Sequence, residues 1–328
     1  MMGTLAGVLA GKKIARRENI QAIFATSPPF TSALVGGVLG RMTGLPWISD
    51  YRDPWTQAYF YFKRPGLSRF IEERLEASLV RGADCIVSVT RRILEGLDQK
   101  YGYTSGGRAS VIPNGYDPAD FEGLSPVRDN RFTITYTGTL HAQMSPAPLL
   151  EAIESLSKDN ERFRRDIRIR FIGRMGNDIQ GLISGSAVKE SVEHIPHMSH
   201  EKCLRNMLGA DLLLLLIPQY PGNELHMSGK IFEYLRTGNP VLCLSTRGDA
   251  ADVIRDTRSG FTVDYGDVQG IREVIRTCYE KWGSGQSCHR EKPVKERIEQ
   301  YDRRLAARKL ASLLDSVAAP EGSEKDRT

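Results

Sequence analysis

The feature that most constrains this chain is the order in which two hydrophobic periods alternate along it. Short aliphatic or β-branched runs occur at residues 85–89, 132–136, 167–172, 212–217 and 241–244, and the stretches between them carry apolar residues at helical spacing. Strands joined through helices return in the same direction, which a tight hairpin cannot do. The alternation therefore predicts parallel sheets with crossover helices. Runs at 21–25, 46–49, 110–112 and 193–195 add shorter strands. Residues 31–43, 67–81, 91–100, 148–157, 201–208 and 268–281 read as helices, and 295–317 as a last, strongly charged one.

A chain of 328 residues is too long for one typical core and suggests two domains. The boundary is marked by Pro113-Asn114-Gly115-Tyr116-Asp117-Pro118, which is turn chemistry throughout. The expected division is a first α/β domain over 1–112, a polar linker over 113–130, a second α/β domain over 131–290, a terminal helix over 291–319 and a disordered tail over 320–328. Ligands of open parallel sheets sit beyond the carboxyl ends of the strands. In a two-domain chain those ends can face each other across a cleft.

Composition narrows the function classes. A hydrophobic content of 40% with 26% charged residues is that of a globular protein. The net charge of +5 is mild, and no basic run is interleaved with aromatics, so nucleic acid is not an expected partner. The cysteines at 85, 203, 243, 278 and 288 are scattered without a C-x-x-C pair. They predict a reducing, cytoplasmic setting with neither disulfides nor structural zinc. The longest apolar run, 212–218, is strand-sized. The apolar start at 1–10 precedes Lys12, Lys13, Arg16 and Arg17, the reverse of a secretory signal. It reads as an amphipathic helix, compatible with weak peripheral contact at the inner face of a membrane.

Residues 228–244 hold the richest local signal. They read as a helix start carrying Lys230 and Glu233, a glycine stop at Gly238, and a buried strand. A helix N-terminus favours anions, and Lys230 adds a full positive charge there. Glu233, three residues on, can accept hydrogen bonds from hydroxyls beside that anion. Phosphate plus diol outlines a nucleotide. An ordinary surface Lys–Glu pair accounts for the segment equally well at this point.

Four segments carry a family resemblance: Val111-Ile112-Pro113-Asn114-Gly115-Tyr116-Asp117-Pro118-Ala119-Asp120-Phe121, Tyr136-Thr137-Gly138-Thr139-Leu140, Arg170-Phe171-Ile172-Gly173-Arg174, and Ser228-Gly229-Lys230-Ile231-Phe232-Glu233-Tyr234-Leu235. With these, over about residues 20–315, the chain resembles the family-4 retaining glycosyltransferases of GT-B fold. Asp50-Tyr51-Arg52-Asp53-Pro54-Trp55 is similar to a motif in members that build cell-surface polysaccharides. The resemblance implies two Rossmann-like domains facing across a cleft and a nucleotide-diphosphate sugar donor held by the second. Glu233 would bind the ribose, and the backbone near Ser228 and Gly229 the diphosphate. Gly138 would lie in the first donor loop, and Pro196-His197 against the base. Lys230 and Arg174 would neutralise phosphate charge, so that neither metal nor cofactor is needed. No carboxylate cluster looks like a magnesium site. The sugar would pass, with retention, to a hydroxyl of a glycan or lipid-linked acceptor.

Three departures qualify that implication. Many members carry a glutamate eight positions before Glu233, where this chain has Leu225 with Glu224 beside it. The loop Thr139-Leu140-His141-Ala142-Gln143-Met144-Ser145 lacks the usual Arg and Lys. The first domain opens at a helix instead of the family's leading strand and glycine-rich loop, so several strand–helix units are expected to be missing, as in a shortened frame, a fragment or a degenerate copy. The rival functions are therefore a catalytically inactive relative that binds nucleotide or a partner protein, and a sugar-nucleotide epimerase of GT-B shape.

Other candidates are weighed on the residues alone. His194, His197 and His200 form H-x-x-H-x-x-H, but Pro196 prevents a regular helix, and loop or surface histidines are the default reading. His141 could reach a phosphate or sugar hydroxyl, or cap its loop. Asp53 is the candidate catalytic carboxylate, for acid–base or acceptor work, or else it caps the Pro54 turn. Asp50 and Arg52 could form a structural ion pair. Trp55, Tyr59, Phe60, Tyr61 and Phe62 favour packing over a sugar platform. G-x-S-x-G, Walker A and G-x-G-x-x-G motifs are absent.

Overall fold

The computed structural model of the chain describes residues 2–103 and 108–318; the expected disorder at 320–328 and the side chain of Phe60 lie outside the described residues. The chain separates into two compact units. One holds the residues up to Asn114 together with those from Arg304 onward, and the other spans Gly115–Arg303.

The first unit runs α1 (Met2–Arg17), β1 (Ile23–Ser27), α2 (Phe30–Thr43), β2 (Trp47–Tyr51), α3 (Tyr59–Phe62), α4 (Gly66–Gly82), β3 (Cys85–Ser88), α5 (Arg91–Tyr101) and β4 (Ala109–Val111). Its four strands lie in the order β1-β2-β3-β4, all parallel. The small-residue pattern of α2 has a packing cause. A methyl group at Gly40 would sit 2.8 Å from the indole of Trp47, and one at Gly37 would sit 2.6 Å from Leu79. Glycines thus let α2 lie close on the sheet.

The second unit runs β5 (Phe132–Thr137), α6 (Ala147–Asp159), α7 (Glu161–Asp166), β6 (Ile167–Ile172), α8 (Asn177–Gly185), β7 (Val192–Ile195), α9 (His200–Leu208), β8 (Leu212–Leu216), α10 (Lys230–Thr237), β9 (Val241–Leu244), α11 (Asp249–Thr257), β10 (Gly260–Thr262), α12 (Val268–Gly283) and α13 (Lys295–Glu299). Its six parallel strands lie in the order β10-β9-β8-β5-β6-β7. The all-leucine β8 is buried on both faces, as a central parallel strand requires. Leu212, Leu214 and Leu216 join the core that includes Leu149, Ile153 and Ile275, whereas Leu213 and Leu215 join the one with Leu204, Ile231 and Ile254. The chain builds outward from β5 to β7 and then returns to add β8 to β10 on the other side. The reversal lies between β5 and β8, where open α/β sheets place their ligands.

Two expectations need correction. The helix expected over 295–317 is two, α13 and α14 (Arg303–Ala318), broken at Gln300-Tyr301-Asp302. Backbone pairing diverts the chain there: Tyr116 N–H donates to the Tyr301 carbonyl at 3.0 Å, and Arg303 N–H to the Tyr116 carbonyl at 3.0 Å. α14 then packs on the first unit's sheet, where Leu310, Leu313, Leu314 and Val317 meet Ile48, Cys85, Val87 and Ile112. Disulfides were not expected, yet Cys278 on α12 is bonded to Cys288, with Cα atoms 4.8 Å apart. The turn after α12, with Gly285 at φ +70°, folds the following segment back onto that helix, a proximity that cysteine spacing does not reveal. Cys85, Cys203 and Cys243 are free thiols.

Candidate functional site

The site is built where β5 and β6 end. Gly138 follows β5 and Gly173 follows β6, at φ +121° and +129°, conformations that L side chains rarely adopt. A methyl group on Gly173 would collide with the Gly138 carbonyl, so the two loops pack backbone to backbone. Hydrogen bonds hold them there. Gly138 N–H donates to Ile172 O at 2.8 Å, Leu140 N–H to Arg174 O at 2.9 Å, and Gly173 N–H to Ile195 O at 2.9 Å.

α10 is seated against the same edge. Its buried face is Ile231, Phe232, Tyr234 and Leu235. The Tyr234 hydroxyl accepts from Thr137 N–H at 3.0 Å, fixing the helix to the last residue of β5. Lys230 opens the helix and reaches Gly138, where a methyl group would lie 2.6 Å from its Nζ. The Tyr136 hydroxyl donates to Thr139 O at 2.9 Å and accepts from Lys230 Nζ, also at 2.9 Å. The ammonium stands 4.1 Å from the centroid of that tyrosine ring. Lys230 is largely buried and has no ion pair among the described residues. Burial lowers its pKa from the ordinary 10.5 to about 8, against the opposing influence of Cys203 and Glu233. His226 is also held below its ordinary value, by burial first and then by the charges of Lys230 and His141. The Lys230 ammonium therefore stands here without a carboxylate in ion-pair contact among the described residues, an arrangement suited to an anion.

Beside them a pocket of about 310 Å³ is lined by Gly138, Thr139, Ile172, Gly173, Arg174, Pro196, His197, Met198 and Cys203. Gly138, Arg174 and His197 thus line one pocket. Glu233 lies on α10 one turn beyond Lys230, and its Oε1 is 3.0 Å from His200 Nε2 at the start of α9. Ser228 and Gly229 precede α10, and their carbonyls accept from Ile231 and Phe232 N–H at 3.2 and 3.4 Å. They are not among the residues lining the pocket. Leu225 ends a short 3₁₀ turn, Asn223–Leu225. His141 is exposed, and its side chain caps nothing.

The first unit holds the other candidates. Asp53 is exposed in the turn after β2, and the surrounding protein raises its carboxyl above the ordinary range against the charge of Arg52. Asp50 and Arg52 form an ion pair at 3.4 Å, and Arg52 also donates to Ile112 O at 3.1 Å and to the Asn114 side chain. This arginine ties the Asp50–Trp55 motif to Pro113-Asn114. Trp55 is buried and stacks on Phe30 with centroids 4.7 Å apart, and Tyr61 is buried too, whereas Phe62 is exposed.

Sequence reasoning did not single out Tyr136, Cys203, Met198 or His226 as site residues. Cys203 and His200, three apart on an amphipathic helix, were the one signal available. Among the described residues no group of three or more His, Cys, Asp or Glu side chains is placed to hold a metal ion, nor is any helix long and apolar enough to cross a membrane.

Comparison with known proteins finds two family models that match the chain. Residues 3–120 match the family model described as Glycosyltransferase Family 4, and residues 131–281 match Glycosyl transferases group 1. No curated protein matches the sequence. Among solved structures, sucrose-phosphate synthase from Thermosynechococcus elongatus aligns over 94% of this chain and 77% of its own at 16% identity, with a TM-score of 0.71. A glycosyltransferase from Rickettsia africae aligns over 96% and 81% at 16% identity, with a TM-score of 0.72. Anabaena HepE, in complex with UDP, aligns over 94% and 82% at 16% identity, with a TM-score of 0.71.

Proposed function

We propose that this chain, a glycosyltransferase of GT-B fold, takes a nucleotide-diphosphate sugar as donor. It passes the sugar, with retention, to a hydroxyl of a glycan or lipid-linked acceptor in the synthesis of a cell-surface polysaccharide. The observation that carries the donor is the meeting of a largely buried, ion-pair-free Lys230 with the glycine loops at Gly138 and Gly173. Tyr136 offers that ammonium a hydroxyl and a ring face but no counter-charge, which an arriving anion would supply. In this reading Lys230 and Arg174 take the diphosphate and stabilise the charge that develops on it as the glycosidic bond breaks. Glu233 takes the ribose diol, and the pocket beside His197 takes the base. The UDP complex of Anabaena HepE supports the same class of donor.

Acceptor work falls to the first unit, with Asp53 as its candidate carboxylate. α1 supports weak contact with an anionic membrane surface: Leu5, Leu9 and Ile14 are exposed beside Lys12, Lys13, Arg16 and Arg17. The test of the donor reading is a thermal-shift panel of nucleoside diphosphates and their sugars. At least one should stabilise the chain, Glu233→Ala should abolish that shift, and Lys230→Ala should weaken it. Unchanged shifts in both variants refute the site. A donor-dependent shift without sugar transfer to any hydroxyl acceptor would favour the nucleotide-binding, inactive alternative, to which Leu225 in place of the earlier glutamate points.

A further inference from the structure

The three histidines at 194, 197 and 200 are spread over a strand, a loop and a helix start, so each imidazole has a different set of neighbours. His194, in β7, brings its Nε2 to 2.9 Å from the Gly173 carbonyl. That oxygen can only accept, so the ring carries its proton on Nε2. With Gly173 N–H already bonded to Ile195 O, β7 holds both peptide groups of the glycine that lines the pocket. His197 lines the pocket wall itself. His200 begins α9, whose N-cap is Ser199, and faces Glu233 Oε1 at 3.0 Å. A carboxylate is likewise acceptor-only, so His200 Nε2–H donates to Glu233.

We propose that His200 is a positioning residue for the donor site: it fixes the Glu233 carboxylate so that its other oxygen, and the spare lone pair of Oε1, face the ribose diol. The proposal rests on the donor reading above. A carboxylate has about four acceptor sites, so one bond to His200 leaves room for both ribose hydroxyls. Glu233 sits on a first turn with rotamer freedom of its own, and an unheld glutamate would have to be ordered by the ligand at an entropic cost. The side chain of His200 is 55% exposed and that of Glu233 is 21% exposed, so the contact lies at the surface and its removal need not disturb the core.

Calorimetric titration of the full chain with UDP, GDP and ADP first identifies the nucleotide that wild type binds. For that nucleotide, His200→Ala should weaken binding roughly three- to tenfold, as for loss of a partly exposed hydrogen bond to a charged group. His200→Gln, which keeps an N–H donor, should restore most of it. The penalty should vanish when the 2′,3′-dideoxy form of the same nucleotide is used, because the diol that Glu233 reads is gone. Unliganded melting temperatures of both variants should match wild type. Wild-type affinity in His200→Ala, with binding lost in Glu233→Ala, overturns the role of His200 and leaves the donor reading intact. An equal penalty with the dideoxy nucleotide overturns it too, as a merely structural effect. No nucleotide binding by wild type overturns both.

Discussion

At the scale of single residues, Lys230 carries the pH dependence expected of the proposed site. Its ammonium is held at about 8 in the folded chain against an ordinary 10.5, because burial disfavours the charged form. The unfolded chain therefore binds more protons between those values. This group's contribution to stability is fully present above 10.5 and is lost as pH falls through about 8. A bound diphosphate pulls the other way by favouring the ammonium. Between pH of about 8 and 10.5 nucleotide binding should take up a proton, and affinity should fall as pH rises through that window. Calorimetry at pH 9 in buffers of different ionisation enthalpy reads the uptake directly, and Lys230→Gln should remove it. Tyr136 acts on the same ammonium, since its O–H donates a hydrogen bond to Thr139 O and its oxygen keeps a lone pair for Lys230.

At the scale of elements, apolar runs with clear stops were legible, and several short or glycine-containing elements were not. β6 and β9 fall at 167–172 and 241–244 as the sequence reading has them, because each is an apolar run with clear stops. α8, α11 and β10 escaped it. α8 spends two of nine positions on glycine, and β10 is only three residues long, so neither shows a usable period. The charged pattern at the end was read as one helix because both halves favour helix locally, and only the pairing of Tyr301 and Arg303 with Tyr116 breaks it. The Cys278–Cys288 link closes a loop of ten residues, and in the chain-entropy account such a link stabilises by about 2–3 kcal/mol. Reducing agent, or Cys288→Ser, should lower the melting temperature accordingly. An equal loss in Cys288→Ser with and without reductant would mean that packing at position 288 carries the effect instead of the bond.

At the scale of the whole molecule, the last helix is what the domain reading could not place. The polypeptide leaves the first unit at Asn114 and returns to it at Arg304, so that α14 covers the face of β2, β3 and β4. Leu313→Asp should therefore destabilise the first unit by about 2–3 kcal/mol, as for a charge set into an apolar contact. The exposed neighbour Ser312→Asp should change little. Limited proteolysis followed by mass spectrometry reads this: early cuts in the first unit, with the second protected, are expected, and cuts spread over both units would contradict it.

The sequence by itself determined the parallel α/β class and the restart after Pro113-Asn114-Gly115, and it marked Lys230 and Glu233 as candidates. Each of these is written in local periods, turn chemistry or a helix start, which neighbours in the chain are enough to specify. The tertiary structure alone decided that Lys230 rests on Tyr136 over Gly138, that His200 meets Glu233, that Cys278 is bonded to Cys288 and that α14 belongs with the first sheet. These pairings join residues from ten to more than two hundred positions apart. They exist because burying the faces of each sheet folds distant segments together within its unit, and no local pattern encodes which side chains that closure brings together.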